Sequence, residues 1–327
     1  MNTYLKKIVQ DININRNVAD PVKEGWISSC ERIGLKKDDP FVEFGLLFTE
    51  HPDLSNPTNA YHNKSHAADA VISASHLATH EFTNNSHDLK HNGSYLLFSM
   101  LSHDIAHNGG HNSYDYELEQ KAVLSMKDYV KSRPEMMKLW ENKLESTYGS
   151  WDKFSNQVSE IILGTDFKNG PTKNLESYSI NSQSTVKINQ LKLLANEADI
   201  LPSCTHDLGP KLGVQLAEEQ NNPGVGSWNG RLFFLKNLAK FGSNASKNIN
   251  IQDHINQQVS LIEKFKPETL NEITQNKGLD MACSKISHDL QLQANSNFLN
   301  NFSNSLQSIR ASIETKITNA NPMHFKP

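Results

Sequence analysis

Ten of the 14 histidines in this 327-residue chain fall between His51 and His111. Histidine is the side chain most used for metal ligation and for proton transfer near neutral pH. The first cluster reads Tyr61-His62-Asn63-Lys64-Ser65-His66-Ala67-Ala68-Asp69, and the second His103-Asp104-Ile105-Ala106-His107-Asn108-Gly109-Gly110-His111-Asn112. If the first is helical, His62 and His66 lie one turn apart on one face. Glu119, Thr165-Asp166 in LGTDF and Asp199 in LANEADI follow, each within or at the end of an apolar helical pattern. A borderline divalent cation favours imidazole nitrogen and carboxylate oxygen. His66, His103, Asp104 and Asp199 supply two of each, with a summed charge of −2 that matches one M²⁺. Asp104 has a second oxygen with which to bridge to another cation. Two cations about 3.5–4 Å apart can hold a hydroxide between them and clamp a phosphate oxygen. A histidine off the metal is suited to protonate the departing alkoxide. His62, one turn from His66, meets that description. One His-Asp pair carries little information; the ordered set carries the chemistry.

The elements that must position these groups read as helices almost throughout. Val71, Ile72, Ser75 and Ala78 follow a three-to-four residue step, as do Val158, Ile161 and Ile162, and Leu191, Leu194, Ala195 and Ala198. Period-two alternation is scarce, so the chain is expected to be all-α, a compact bundle with a metal site in its central cavity. The run LLFSMLS before His103 predicts a buried helix. Breakers fall at 51–60 (HPDLSNPTNA), Asn108-Gly109-Gly110, Asn169-Gly170-Pro171, a Ser/Asn-rich stretch over 173–187, Asn221 to Gly230, and Gly242 to Asn250. The expected organisation is an N-terminal helical segment (1–50) packing on the core, a catalytic core (51–265), and a C-terminal helical extension with a frayed tail (266–327).

Composition narrows the function. Net charge is −4, from 32 basic and 36 acidic residues, which argues against a nucleic-acid-binding footprint. No secretory leader is expected over residues 1–15. The longest apolar patch, near residues 95–101, falls far short of the roughly 20 residues of a membrane span. Cys30, Cys204 and Cys283 are isolated, which suits a reducing, cytoplasmic setting. The Asn-, Ser- and Lys-rich composition would suit an AT-rich bacterial genome; for a pathogen, translocation into a host cell is the matching expectation. About 50 residues precede the first motif, too few for a regulatory domain.

At these motifs the sequence resembles the catalytic domain of the class I cyclic-nucleotide phosphodiesterases, within the HD metal-phosphohydrolase group. YHNKSHAADAVISASH is similar to the family's YHNxxHAADV signature and its continuing helix. HDIAHNGGHN resembles HDxxHxGxxN, ILGTDF the ATD segment, and NEADILP the CADLSNP segment, the likeness covering roughly residues 55–205. The resemblance implies an all-helical domain holding Zn²⁺ tightly and Mg²⁺ or Mn²⁺ at a second site. It assigns His62 as proton donor and His66, His103, Asp104 and Asp199 as ligands of the tighter metal. It places His107, Glu119 and Thr165 around waters of the second metal, and Tyr61 and Asn112 near the phosphate, with Asp166 beside them. The family holds its purine with a Gln and a Phe in an SQxGF-like segment. Here the stretch reads GSWNGRLFFL, where Asn229 would offer an amide and Phe233 or Phe234 an aromatic face. ELEQKAV stands where the family has a His-rich helix.

Three functions are compatible with these residues. The first is hydrolysis of 3′,5′-cyclic nucleotides (cAMP, cGMP) to 5′-monophosphates, by attack of a metal-bridging hydroxide with His62 as general acid. The second is an HD-type phosphodiesterase on another phosphodiester or pyrophosphate, such as ADP-ribosylated ubiquitin or a nucleotide conjugate, with a protein substrate or partner. The third is an inactive module that binds a nucleotide or a protein. Of the remaining residues, Trp140, Tyr148, Trp151 and Phe154 read as packing, and 131–145 as a solvated helix face. His76, His80, His87 and His91 read as surface or helix-polar groups. His206-Asp207, a second HD pair after Pro202, is a candidate for the substrate pocket.

Overall fold

The computed structural model describes residues 3–55, 57–83, 85–169 and 187–264. These residues form helices and turns, with no strand among them. In chain order the helices are α1 (Thr3–Asn15), α2 (Pro21–Arg32), α3 (Pro40–Phe48), α4 (Pro52–Ser55), α5 (Lys64–Glu81), α6 (Ser86–Ser102), α7 (Glu117–Ser132), α8 (Pro134–Leu139), α9 (Glu145–Tyr148), α10 (Trp151–Leu163), α11 (Ile188–Cys204), α12 (Gly209–Glu219), α13 (Trp228–Phe233), α14 (Asn244–Asn248) and α15 (Ile251–Lys264). Wider π turns, Trp140–Leu144 and Phe234–Leu238, follow α8 and α13. The stretches 173–186 and 266–327, and Cys283 with them, lie outside the described residues.

Local sequence explains where several helices begin. Asp20 and Asp39 accept the backbone N–H of Lys23 (3.2 Å) and Phe41 (2.9 Å), each ahead of a proline in the first turn. Asn63 and Asn85 cap α5 and α6 in the same way. The core is built around α5, which is buried on all sides from His66 through Ala78. Its alanines and serines let α2, α6 and α11 lie close against it. Helix α6 is buried from Asn92 through Ser102, so LLFSMLS is the interior helix its composition predicts.

An aromatic cluster fills the space beside α6. Trp140, Tyr148, Trp151 and Phe154 meet Phe41, Phe44 and Phe98, with Phe44 and Trp140 centroids 5.1 Å apart and Trp140 and Phe154 4.7 Å apart. These residues are packing, as expected, and the lysines and glutamates of 131–145 stay at the surface around buried Met136, Leu139 and Leu144. Trp26 of α2 closes the cluster. Its indole N–H donates to the Val42 carbonyl at 3.0 Å and its ring lies directly against Gly45.

Three sequence expectations are corrected. His76 is buried, with its Nε2 2.9 Å from Asp11, which also pairs with Arg32 at 2.6 Å; the network joins α1, α2 and α5. A polar residue on a helix buried all round has no solvent face to occupy, and a carboxylate from α1 reaches it instead. Residues 242–250 are not a plain loop but contain α14. Buried Glu197 organises that turn, accepting the N–H of Gly242 (2.6 Å) and Ser243 (2.9 Å) and the hydroxyls of Ser243 and Ser246. His206 faces a buried partner: its Nδ1 lies 3.3 Å from Nε2 of His254 on α15. Beside them Arg231 donates to the carbonyls of Ser203 and Thr205, and Gln258 to that of Cys204, satisfying the orphan end of α11.

Two consequences are measurable. Gly45→Ala would drive a methyl into the Trp26 indole; an overpacked core loses about 2 kcal/mol, and the Tm should fall by about 4–8 °C. Burial, reinforced by the neighbouring His206 and Arg231 charges, holds His254 down to about 3. The folded protein therefore binds this proton less readily than the unfolded chain does. Its contribution is complete above about pH 6.5 and is lost as pH falls toward 3. Urea unfolding across that range should show His254→Asn to be less acid-sensitive than the wild type.

Candidate metal centre

Helices α5 and α11 and the end of α6 bring their polar groups to one point. His66 is in the first turn of α5, His103 and Asp104 directly follow α6, and Asp199 lies in the last third of α11. His66 Nε2 lies 3.0 Å from Asp104 Oδ2 and 3.1 Å from Asp199 Oδ1. His103 Nε2 lies 3.0 and 3.5 Å from the same two oxygens. Four donors about 2.1 Å from one ion in a tetrahedron would stand about 3.4 Å apart. The observed spacing fits a single cation.

The donors also fit chemically. His103 Nδ1–H donates to the Met100 carbonyl at 2.8 Å, which leaves Nε2 as the lone-pair nitrogen. His66 Nε2, His103 Nε2 and Asp104 Oδ2 are buried and lack any other hydrogen-bond partner. Both histidines are almost fully buried, while Asp104 and Asp199 keep 22 and 13% of their side-chain surface, so the pocket is open on the carboxylate side. Burial disfavours charge on His66, yet hydrogen bonds to Asp104 and Asp199 outweigh it and push the imidazole up to about 9. His103 is raised well above the usual imidazole range by the same two carboxylates. Protons on the imidazoles thus occupy the place that a cation's charge would take.

Beside this set lies a second one. Ring nitrogens of His62 and His107 and an oxygen of Asp104 lie within 4.8 Å of one another. The carboxylate common to both sets is Asp104. His62 and His66 do not share a helical face, because Asn63 caps α5 by accepting the N–H of Ser65 (2.9 Å) and His66 (3.3 Å). His62 therefore sits just outside the helix, its ring centroid 5.5 Å from that of His66 and stacked at 3.7 Å on His107.

A residue that the sequence reading missed fixes His62. Glu219, at the end of α12, accepts the N–H of Tyr61 (2.7 Å) and of His62 (2.9 Å) on one oxygen, and His62 Nδ1–H on the other. Its side chain is only 4% exposed. Burial raises this carboxyl, but the hydrogen bonds and charge of His62 and the two backbone donors bring it down to about 2. Glu219 thus favours its ionised form and meets the Nδ1 edge of the imidazole. The available signal was its register: it continues the Leu212–Leu216 stripe that faces the protein. Burial lowers His107 to about 4, and its Nδ1 accepts the Gly109 N–H at 3.0 Å, so the neutral ring carries its proton on Nε2.

The other candidates take several places. Tyr61 is buried, its ring 4.7 Å from both His62 and His66 and its hydroxyl 3.2 Å from Ser203 Oγ. Asn112 accepts the Leu118 N–H (2.7 Å) and donates to Glu119 (3.0 Å) and Asp166 (3.4 Å), so its amide is committed to the start of α7. Asp166 accepts the N–H of Tyr116, Lys168 and Asn169 and ties the 112–116 turn to the end of α10. Thr165 is buried with its hydroxyl on the Ile162 carbonyl, and Asn196 of α11 donates to the Thr165 carbonyl. Asn229 and Phe233 are exposed; Phe234 packs half-buried under Arg231.

Among solved structures, the chain is similar to the phosphodiesterase domain of the RhoPDE fusion protein from the choanoflagellate Salpingoeca rosetta. The TM-score is 0.55 at 15% identity, over 82% of this chain and 91% of that one. The two share a fold. No family model and no curated protein sequence matches this chain. Among the described residues, no helix is long and apolar enough to cross a membrane.

The donor set makes a direct expectation. After dialysis, metal analysis of the full chain should find a tightly held divalent cation that His103→Ala and Asp199→Ala both lose, while Asn112→Ala keeps it. Retention by the first two variants would mean that the metal sits elsewhere.

Proposed function

We propose that the chain is a metal-dependent phosphodiesterase that opens 3′,5′-cyclic nucleotides to 5′-monophosphates. The observation that carries the reading is the convergence of His66, His103, Asp104 and Asp199, with orphaned donor atoms, next to a histidine held by a buried carboxylate. The shared fold with a phosphodiesterase domain supports it. In this reading the four ligands hold Zn²⁺, and Asp104 reaches toward Mg²⁺ or Mn²⁺ on the His107 side. Bound there, the cations would neutralise phosphate charge and acidify water.

The chain's own residues supply the rest. Glu219 fixes the orientation of His62 through Nδ1–H, so that His62 gives a proton from Nε2 to the departing sugar oxygen as the P–O bond breaks. His107, neutral with its proton on Nε2, is a donor toward the phosphate and its waters. Tyr61 braces both imidazoles from behind.

A second reading is favoured by the exposure of Asn229 and Phe233, the side chains expected to hold a base. The same centre would then cut a phosphodiester or pyrophosphate in a larger nucleotide conjugate. Assays with Mn²⁺ or Mg²⁺ on cAMP, cGMP, dinucleotides and ADP-ribose conjugates separate the two. In either case His62→Ala should lower kcat by about 10²–10⁴ while retaining metal. Glu219→Gln should lower kcat by about 10–100-fold with little change in KM. A metal-loaded wild type that turns over none of these substrates would defeat both readings.

A further inference from the structure

The turn that follows His103 is held from outside. Ala106, between Asp104 and His107, has φ +64, a left-handed conformation unfavourable for any residue with a Cβ. Its N–H donates to Asp53 Oδ2 at 2.7 Å. The next carbonyl, that of His107, accepts Asn59 Nδ2–H at 2.8 Å. Both clamps come from the 51–60 stretch. Asp53 is itself anchored: its N–H donates to His51 Nδ1 at 3.2 Å, and His51 Nε2 lies 3.1 Å from Ser125 Oγ on α7. The left-handed step turns the chain back after Asp104, so that His107 stacks on His62. Without it, a chain leaving α6 would carry His107 onward along the helix.

We infer that Asp53 is a positioning residue for the Asp104–His107 side of the centre, acting through the Ala106 amide. The inference rests on the two-cation reading above. Asp53 touches neither cation site; it holds Ala106 in a conformation that an alanine would otherwise leave. Its side chain is 45% exposed, so removing it opens no core cavity. Asparagine keeps an acceptor oxygen at the same place. Glycine at 106 adopts positive φ without strain and makes the clamp dispensable.

The test is Mn²⁺ binding to the full chain, first stripped of its tightly held cation with a chelator, by calorimetry and electron paramagnetic resonance, with Tm recorded alongside. Wild type should take two equivalents. Asp53→Ala should weaken the second by about tenfold and leave the first within about twofold, Asp53→Asn should lose about threefold or less, and Ala106→Gly added to Asp53→Ala should restore most of the loss. If Asp53→Ala binds both ions as the wild type does, the inference fails. It fails equally if the loss persists in the Asp53→Ala/Ala106→Gly double variant or follows a general fall in Tm. A wild type that binds only one Mn²⁺ overturns the two-cation reading and this inference together. Two intact Mn²⁺ sites without turnover on any phosphodiester would count against the proposed activity alone.

Discussion

Two carboxylates and two imidazoles face one another in a largely buried pocket, and among the described residues no lysine or arginine pairs with Asp104 or Asp199. Like-charged oxygens brought this close are costly unless a positive charge lies between them. The fold meets that demand from three sides at once. Helix α5 is buried on every face so that His66 can enter from its first turn; α6 ends where His103 must emerge; α11 brings Asp199 across. The small side chains of α5, the Asn63 cap and the Met100 carbonyl under His103 all serve this convergence.

The fold class and the convergence of His66, His103, Asp104 and Asp199 were legible because their signals are local. Helical periodicity, an apolar run ahead of His103 and an aspartate on an apolar helix need no tertiary information. Spacing failed where a cap intervened: His62 and His66 are four apart, but Asn63 starts the helix between them, so proximity comes from the turn and not from a common face. Glu219 was missed because its partner is 157 residues away and a glutamate at a helix end is ordinary. Only its register on the Leu212–Leu216 stripe sets it apart. Asp53 was hidden for a different reason. The backbone conformation of Ala106 cannot be read from an alanine.

Buried polar groups away from the centre follow the same physics. Glu197, His76 and the His206–His254 pair are each the node of an interior network. In a chain with modest apolar content, such nodes take over part of the task of joining helices. Asn112 and Asp166 belong with them. Their hydrogen bonds are spent on the turn before α7 and the end of α10, which fixes Glu119 beside the centre without either amide or carboxylate being left over for a ligand.

The bond between His62 and Glu219 has a consequence for biosynthesis. Three of the four convergent residues are encoded by residue 104, but Asp199 comes nearly a hundred residues later and the carboxylate that orients His62 only at 219. A ribosome-bound chain shorter than 199 residues would lack part of the donor set, and one ending between 199 and 219 would hold all four donors with an untethered imidazole. The centre is therefore completed in two steps, the donor set with α11 and the His62 tether with α12, and an N-terminal fragment ending before α12 would hold the donors without the tether.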